Sequence, residues 1–235
     1  PAAPGPFRPG GKRPLHTCPC SQYTWPVPLR LGHRGAPHLA RENTLESFRK
    51  ALGAGLDGFE LDVHLTRDGV LVVHHDFVLE GEPIARLSRR ELPAYVPTLE
   101  EVLRAFPQAR INVELKSLPP ETDGREEALA RLLARYPSGR LWVSSFDPLA
   151  LVRLRRLGVG PLGLLYDRPE ALELAPCLGV AWVHPEASLL TEEGVRALKA
   201  RYRVLAWTVN RREEAEALAA WGVDALVSDF PEVLV

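Results

Sequence analysis

Residues 59–76 read FELDVHLTRDGVLVVHHD, a β-rich stretch with carboxylates near its start and a His-His-Asp run at its end. Side chains alternate along a strand, so Glu60, Asp62 and His64 share one face, and Leu61 and Val63 belong to the other. A buried charge is costly unless it is paired or binds a metal, and a strand that only builds a core does not need one. The stretch therefore predicts a strand with one face against helices and the other in a functional interior.

The Thr-Arg-Asp-Gly sequence at 66–69 divides the stretch into two strands. Four residues are too few for a parallel crossover, and Asp-Gly is a strong hairpin signal. We therefore interpret residues 70–75 as an antiparallel excursion at the rim of the sheet, which returns His75 to the side of Glu60 and Asp62. His74 has the opposite parity, so at most one of the two histidines points into the site.

Outward from this stretch, a short β-rich run, a turn and an amphipathic helix alternate from residue 28 to residue 235. The β-like runs are 30–33, 58–65, 110–116, 141–145, 162–166, 181–184, 204–209 and 225–228, and the helical patterns are 44–54, 99–105, 125–136, 148–157, 192–199 and 212–221. Such alternation predicts an α/β protein with parallel strands covered by helices. Eight repeats favour a closed (β/α)8 TIM barrel over an open doubly wound sheet. We expect a single barrel domain over 28–235, preceded by an irregular tail over 1–27.

Composition narrows the function classes. The chain has 235 residues, 46% of them hydrophobic, and a formal net charge of −1, so nothing indicates a nucleic-acid partner. No apolar run approaches the ~18 residues of a membrane span, and we expect no integral membrane association. Cys18, Cys20 and Cys177 are too few and too scattered for a disulfide framework, and the first two match no zinc spacing. These features, together with the lack of an apolar secretory core at the N-terminus, favour a cytoplasmic location.

The two carboxylates of the first strand indicate a cation site. Glu60 and Asp62 on successive inward positions repel each other unless a cation lies between them. Hard divalent ions take oxygen ligands, so Mg²⁺ or Ca²⁺ is the expected cofactor. A buried ion-pair network with arginine would explain these two residues equally well.

A second strand adds a third carboxylate. In the run 110–116, Asn112, Glu114 and Lys116 share one face, and this strand is the expected neighbour of the one that bears Glu60. Glu114 can complete a three-carboxylate site, and Lys116 can face an anion bound to the metal. A lone Glu-Leu-Lys in a strand would otherwise be an ordinary ion pair.

The end of the first strand carries His33, Arg34 and Gly35, at the face where barrel enzymes hold their active sites. The guanidinium of Arg34 suits phosphate. His33 and His75 form a pair that can divide the general base and general acid roles. A single histidine is more often a satisfied core residue, but two beside three carboxylates and an arginine favour catalysis.

The segment Glu42–Asn43–Thr44–Leu45–Glu46 predicts the start of a helix. Asn43 is the expected N-cap, with Glu46 as its reciprocal partner in a capping box. Glu42 then lies just outside the helix, above the first strand, where it is free to meet a ligand hydroxyl or a cation.

Taken together, the motifs form an ordered set. They are HRG (33–35), ENT (42–44), ELD (60–62), TRDG (66–69), HD (75–76), PTLEEVL (97–103), VELK (113–116), SSF (144–146), WTVN (207–210) and SDFP (228–231). Any one of them is weak, but in this order and spacing the set resembles the glycerophosphodiester phosphodiesterase family over residues 29–235.

The resemblance implies a TIM barrel that hydrolyses small-molecule glycerophosphodiesters to glycerol 3-phosphate and an alcohol. It implies that His33 and His75 are the catalytic histidines and that Glu60, Asp62 and Glu114 hold the metal. It further assigns five residues to phosphate and pocket contacts: Arg34, Lys116, Glu42, Trp207 and His184.

The chain also departs from the family pattern. The segment after the His-Asp pair, at about 77–97, is shorter than is usual, which leaves the released alcohol open. The last helix is short, so we expect barrel closure to depend on the tail or on a partner chain, which leaves assembly into a homo-oligomer as an open alternative.

Two other functions are considered. One is a lysophospholipase D with the same machinery and an apolar apron at 77–79, and the other is a non-catalytic barrel that binds phosphorylated ligands.

Overall fold

The computed structural model describes residues 28–118, 122–136 and 138–235. The predicted tail at 1–27, with Cys18 and Cys20, lies outside the described residues. Among the residues that are described, no helix is both long and apolar enough to cross a bilayer.

The β-strands number eleven within the described residues. They are β1 (Leu29–Gly32), β2 (Gly58–Leu65), β3 (Leu71–Val73), β4 (Val78–Leu79), β5 (Glu82–Pro83), β6 (Arg110–Leu115), β7 (Leu141–Ser145), β8 (Leu162–Tyr166), β9 (Trp182–Pro185), β10 (Arg203–Ala206) and β11 (Ala225–Ser228). Eight of them are parallel neighbours in the order β1-β2-β6-β7-β8-β9-β10-β11, and β11 pairs again with β1. The predicted (β/α)8 TIM barrel is therefore confirmed.

The helices lie between these strands. They are α1 (Leu45–Gly53), α2 (Leu99–Ala105), α3 (Arg125–Leu133), α4 (Pro148–Arg156), α5 (Ala175–Leu178), α6 (Glu192–Lys199), α7 (Arg212–Trp221) and α8 (Pro231–Leu234). The amphipathic patterns predict six of them to within three residues at each end. The last of these helices, α8, is the short final helix expected from the sequence. The patterns do not predict α5, because its four residues are too short to display a helical period.

Barrel closure is made by backbone pairing between the first and last strands. Leu29 lies opposite Ala225, and the register continues to Gly32 opposite Ser228. The short helix α8 packs against both β1 and β11. These contacts close the sheet within the described residues, and the expected contribution of the tail or of a partner chain stays a prediction.

Two apolar layers fix the orientation of the strands. Outside the barrel, Leu61 and Val63 of β2 are fully buried against the helices, and the rings of Phe48 and Phe59 stack 4.2 Å apart. Inside the barrel, a separate cluster fills the end nearest the strand N-termini, where the rings of Trp142 and Trp182 stack; its members are Leu29, Leu31, Trp142, Trp182, Leu205, Ala225 and Val227. The predicted parity of β2 is confirmed, and the polar face of β2 points into the interior.

The excursion after β2 follows the predicted path. β3 is antiparallel to β2, with Val63 opposite Val73, and the hairpin of β4 and β5 comes next. This segment has a small core of its own, built from Val72, Leu79, Ile84, Leu92 and Val96. It lies over the rim of the barrel beside β2 and brings His75 to the barrel mouth.

Candidate active site

The register between β2 and β6 assembles the acidic cluster. Glu60 lies opposite Asn112 and Asp62 lies opposite Glu114. Glu60, Asp62 and Glu114 are all buried, and each offers a carboxylate oxygen within 4.8 Å of the others. Residues that lie 54 positions apart in sequence thus share one side of the barrel interior.

Two cationic side chains neutralise this cluster in part. Lys116 Nζ lies 2.8 Å from Glu114 Oε1 and 3.1 Å from Asp62 Oδ1. Arg34 Nη1 donates to both carboxylate oxygens of Glu42 at 3.0 and 3.1 Å, and Arg34 Nε lies 3.5 Å from Asp62 Oδ2 without a hydrogen bond. Four carboxylates therefore face only two cations in this group of residues.

Glu60 is the carboxylate of the cluster with an unsatisfied oxygen atom. Its Oε2 accepts a hydrogen bond from the backbone N–H of Arg34 at 3.0 Å, but its buried Oε1 has no hydrogen-bond partner. An unpaired buried carboxylate oxygen is costly. The unmet oxygen and the excess of negative charge both fit a divalent cation with oxygen ligands, which Glu60, Asp62 and Glu114 would hold.

The electrostatics of the three carboxylates differ. Burial, and then the charges of Asp62 and Glu114, raise the pKa of Glu60 well above its usual range. Burial and Asp62 also raise the pKa of Glu114, against the opposing effect of Lys116. Burial opposes ionisation of Asp62 as well, but Lys116 and Arg34 outweigh it and lower the pKa of Asp62. The cationic side chains thus lower the pKa of Asp62 only, and the pKa values of Glu60 and Glu114 stay raised.

Asn43 orients Asp62 and does not cap the helix. Its backbone has a φ of 55°, a left-handed conformation that asparagine tolerates better than most residues. Its Nδ2 donates to Asp62 Oδ2 at 2.8 Å, and the backbone N–H of Asp62 donates back to Asn43 Oδ1 at 3.3 Å. Thr44 is the N-cap of α1 and accepts from the N–H of Ser47, so the prediction of Asn43 as the cap is wrong by one residue.

Gly35 allows the turn that carries His33 and Arg34 to pack against α1. Its φ is 94°, and a Cβ at this position would lie 2.4 Å from Ser47 Oγ. Ser47 Oγ in turn accepts from the N–H of Ala36 and donates to the carbonyl of Arg34. Only glycine fits this close approach, which fixes the residues just before it at the end of β1.

Both predicted histidines line one cavity of about 180 Å³ at the barrel mouth. The ring of His33 contacts Asp229, with Nδ1 2.7 Å from Oδ1, and the ring of His75 contacts Asp76, with Nδ1 2.8 Å from Oδ1. The other lining residues are Arg34, Glu60, Asn112, Glu114, Lys116, Phe146, Leu165, Leu205, Trp207 and Val227. The cavity therefore contains two carboxylates of the acidic cluster and both imidazoles.

His64 supports the loop that carries His75. Its Nε2 lies 3.2 Å from the carbonyl oxygen of His75, which can only accept, so Nε2 carries the proton. Burial lowers the pKa of His64 to about 4, and the edge of its ring meets Phe77 at a centroid distance of 4.9 Å. His64 is therefore a neutral structural group that lies behind His75.

His74 is half-buried, and its backbone N–H donates to the carbonyl of Asp62 at 3.1 Å. It is not among the cavity-lining residues, in keeping with its predicted opposite parity.

Trp207 lines the cavity, whereas His184 and Glu42 do not. The Trp207 indole Nε1 donates to the carbonyl oxygen of His184 at 2.7 Å, and the ring of Phe146 stands perpendicular to it at 5.6 Å. Glu42 reaches the site only through its ion pair with Arg34.

The side chain of His184 lies deeper in the barrel. It accepts a hydrogen bond from Trp142 Nε1 at 3.3 Å and covers Gly163, where a Cβ would lie 2.7 Å from its ring. Burial lowers the pKa of His184 to about 3, so the ring is neutral at physiological pH.

Sequence reasoning assigned no role to Phe146, Asn210 or Asp229, and it assigned Asn43 only the role of a helix cap. Phe146, Asn210 and Asp229 lie within the SSF, WTVN and SDFP motifs; Phe146 and Asp229 directly follow barrel strands, and Asn210 lies in the loop after β10. Their position at strand ends was the signal that could have identified them, because those ends form the mouth of a barrel.

Comparison with known proteins gives consistent matches. The model of the glycerophosphoryl diester phosphodiesterase family matches residues 33–233. A glycerophosphodiester phosphodiesterase of Caldanaerobacter subterraneus subsp. tengcongensis is 31% identical, over 88% of this chain and 96% of the relative. A lysophospholipase D of Rattus norvegicus is 32% identical over 37% of this chain and 35% of the relative.

A solved structure also matches over most of its length. The Oleispira antarctica phosphodiesterase in complex with the product sn-glycerol-3-phosphate aligns with a TM-score of 0.81 at 29% identity. The alignment covers 88% of this chain and 95% of that chain.

Proposed function

Because the chain belongs to the glycerophosphoryl diester phosphodiesterase family and is a glycerophosphodiester phosphodiesterase, we propose that it hydrolyses its substrates to glycerol 3-phosphate and an alcohol with a divalent cation and a pair of catalytic histidines. The observation that carries the proposal is a shared cavity. His33 and His75 line the same space as Glu60 and Glu114, which form the acidic cluster with Asp62.

The cation would be held by Glu60, Asp62 and Glu114, and Mg²⁺ or Ca²⁺ suits three oxygen ligands. When bound, such an ion acts as a Lewis acid on a phosphoryl oxygen and offsets the negative charge that develops there. Two observations support a bound cation: carboxylates outnumber cationic side chains at the site, and the buried Oε1 of Glu60 has no hydrogen-bond partner.

Arg34 and Lys116 would bind the phosphoryl group. Both side chains line the cavity and carry donors that already contact carboxylates at its edge. Their positive charges oppose the charge that accumulates on the phosphoryl oxygens in the transition state. Glu42 holds Arg34 through its ion pair and so sets the direction of the guanidinium.

His33 and His75 would divide proton transfer between them. One ring accepts a proton from the nucleophile, and the other donates a proton to the departing alcohol oxygen. The nucleophile is either water, or the neighbouring glycerol hydroxyl in a route through a cyclic phosphate that water then opens. Each Nδ1 is directed at a carboxylate, which leaves Nε2 of each ring as the nitrogen for this exchange. His64 holds the loop of His75 and takes no part in proton transfer, since burial keeps its ring neutral.

The size of the cavity supports a small polar product. Its volume of about 180 Å³ is below the ~300–1,000 Å³ of pockets for drug-sized ligands. A glycerol phosphate moiety would lie inside, against Phe146 and Trp207, and the alcohol would extend to the mouth. His184 would act indirectly, because its carbonyl fixes the indole of Trp207.

A second candidate is hydrolysis of lysophospholipids by the same residues. It is supported by exposed apolar side chains in the loops at this end of the barrel, namely Val78, Leu118 and Phe146. The apron expected at 77–79 is smaller than its sequence indicates, because Leu79 is buried in the core of the excursion and Phe77 packs on His64. We therefore propose glycerophosphodiesters, and not lysophospholipids, as the preferred substrates.

The test is a hydrolysis assay on glycerophosphocholine, glycerophosphoethanolamine, glycerophosphoglycerol and lysophosphatidylcholine, with and without EDTA. We expect release of glycerol 3-phosphate from the first three, loss of turnover in EDTA, and recovery when Mg²⁺ or Ca²⁺ is returned. Full turnover in EDTA would refute the metal role. Preference for lysophosphatidylcholine would favour the second candidate, and calorimetric binding of these compounds without any product would indicate a non-catalytic barrel.

A cytoplasmic location is part of the proposal. It rests on the three scattered cysteines, which provide no disulfide framework, as is typical of proteins in a reducing compartment. The oligomeric state is left to direct measurement by light scattering.

A further inference from the structure

Barrel closure brings a carboxylate to His33. Gly32 at the end of β1 lies opposite Ser228 at the end of β11, and the backbone N–H of His33 donates to the carbonyl of Ser228 at 2.8 Å. The next residue, Asp229, then meets the imidazole, with Oδ1 2.7 Å from Nδ1. Both side chains are partly buried, at 21% and 31% exposure.

Asn210 holds this carboxylate in place from the other side. Its Nδ2 donates to Asp229 Oδ2 at 2.7 Å, and its Oδ1 accepts from the backbone N–H of Asp229 at 3.0 Å. The same Oδ1 also accepts from Ser228 Oγ at 3.2 Å. Each oxygen of the Asp229 carboxylate thus has its own donor, and the amide of Asn210 has its orientation fixed.

The other catalytic histidine lacks such a support. Asp76 Oδ1 lies 2.8 Å from His75 Nδ1, but the Asp76 side chain is 71% exposed, and no second side chain among the described residues donates a hydrogen bond to it. An exposed pair of this kind contributes little to geometry or energy. The two histidines therefore differ in how firmly each is oriented.

We propose that Asp229 is a positioning residue for His33, which keeps the ring proton on Nδ1 and reserves Nε2 for the reactant in the cavity. The inference rests on the proposed catalytic role of His33. It assigns to Asn210 the task of orienting Asp229.

The protonation state of Asp229 supports this arrangement. Burial would raise its pKa, but hydrogen bonds from His33 and Asn210 outweigh that effect and lower it. An ionised carboxylate can only accept, so Nδ1 of His33 must be the donor. A neutral imidazole carries one proton, and its Nε2 is then an acceptor that faces away from Asp229.

Asp229→Asn tests the proposal with little change in shape. If the new amide turns its oxygen to His33, its NH₂ group meets the NH₂ group of Asn210. If it turns its NH₂ group to His33, Nδ1 must accept and the ring proton moves to Nε2. The first orientation keeps the tautomer but sets two donor groups against each other, so the second is favoured, because the new oxygen then accepts from Asn210 Nδ2. The required tautomer is lost in that orientation, and we expect kcat to fall roughly 100-fold or more with little change in KM.

Asp76→Asn is the matched control, because it makes the same change beside the other histidine. We expect a much smaller loss of kcat, of about fivefold or less. Nitrogen NMR of the imidazole rings supplies a readout that does not depend on activity. The His33 signal, identified by its loss in His33→Gln, should report a proton on Nδ1 in the wild type and not in Asp229→Asn.

The outcomes separate this inference from the proposed function. If His33→Ala is inactive while Asp229→Asn keeps kcat within about threefold of the wild type, the positioning role is refuted and the catalytic role stands. A loss in Asp229→Asn that comes with a lower melting temperature, or an unchanged His33 tautomer, would also refute it, because Asp229 would then be only structural. If His33→Ala keeps wild-type turnover, the proposed function itself fails.

Discussion

The two halves of the barrel contribute different kinds of side chain to the same cavity. Among the described residues, every titratable side chain that lines it comes from the first half of the chain, between His33 and Lys116. The second half contributes only aromatic and aliphatic lining residues, from Phe146 to Val227. The chemistry is thus concentrated at three neighbouring strands, β1, β2 and β6, and at the loop after β3 that carries His75, and the opposite wall provides shape.

This division explains how the site tolerates its density of charge. The charged residues meet one another on adjacent strands, where cations and carboxylates are within reach of a partner. The opposite wall is aromatic and aliphatic, and its low polarity strengthens the electrostatic interactions on the charged side. Among the cavity-lining residues, variants in the first half should therefore change kcat or metal affinity, and variants in the second half should mainly change KM or stability.

The largest expected effect is the loss of either cavity histidine. His33→Ala and His75→Ala should each lower kcat by about 10²–10⁴-fold, because general acid–base catalysis contributes that much. Calorimetric titration with Mg²⁺ or Ca²⁺ should give the wild-type affinity, since neither ring is among the three predicted ligands. Turnover that survives in both variants would remove these residues from the mechanism.

The sequence was sufficient to predict the charged half because that half follows from strand parity. Alternation in β2 put Glu60 and Asp62 on one face, and the Asp-Gly turn returned His75 to them. The eight-strand barrel followed from the repeated β and α patterns, although the bounds of β9 and β10 shifted by one to three residues.

What could not be predicted depends on contacts between distant residues or on local backbone geometry. Asp229 reaches His33 only because closure joins residues 196 positions apart. Asn43 binds Asp62 from a left-handed conformation that the capping pattern does not reveal. His184 is directed away from the cavity because Gly163 leaves space for its ring.

The second prediction concerns Asn43, which orients a predicted metal ligand. Asn43→Ala should weaken divalent-cation affinity by about 10–100-fold, the usual cost of losing a hydrogen bond that holds a ligand. The adjacent Thr44→Ala is the control. It removes the cap of α1 at about 1 kcal/mol of stability and should leave the affinity unchanged. Equal affinities in the two variants would show that Asn43 does not support the site.

The third prediction tests the apolar side of the cavity, which the second half of the chain provides. Phe146→Leu removes an aromatic ring that meets Trp207 edge to face and lines the cavity. Loss of about 0.5–1.5 kcal/mol of ring contact should raise KM roughly three- to tenfold and leave kcat near its wild-type value. Leu149→Ala, an equally exposed apolar position on α4 that does not line the cavity, should change neither constant. A fall in kcat alone for Phe146→Leu would contradict the division between the two halves.

The smallest effect is expected in the dependence of stability on pH. The pKa of His184 is lowered to about 3 in the folded protein by burial, whereas an unfolded histidine has a pKa of about 6.5. The unfolded state therefore takes up the proton first as the pH falls. Stability is unaffected above the unfolded pKa and declines from there towards the folded pKa, by about 1 kcal/mol at pH 6.

Urea unfolding of the wild type and of His184→Gln at pH 8 and pH 6 measures this contribution. The amide keeps an acceptor for Trp142 Nε1 but does not titrate, so the decline should be smaller in the variant by about 1 kcal/mol. Parallel declines in the two proteins would show that the buried ring does not contribute.

The central claim is that the acidic cluster binds a divalent cation within reach of both imidazoles. Paramagnetic Mn²⁺ tests this directly, because it broadens the NMR signals of nearby protons. One equivalent of Mn²⁺ should broaden the ring signals of His33 and His75 in the wild type, while Mg²⁺ should not, and Glu60→Gln should require a much higher Mn²⁺ concentration. If one equivalent leaves either ring sharp, or if Glu60→Gln responds as the wild type does, the cation and the two histidines do not share one site.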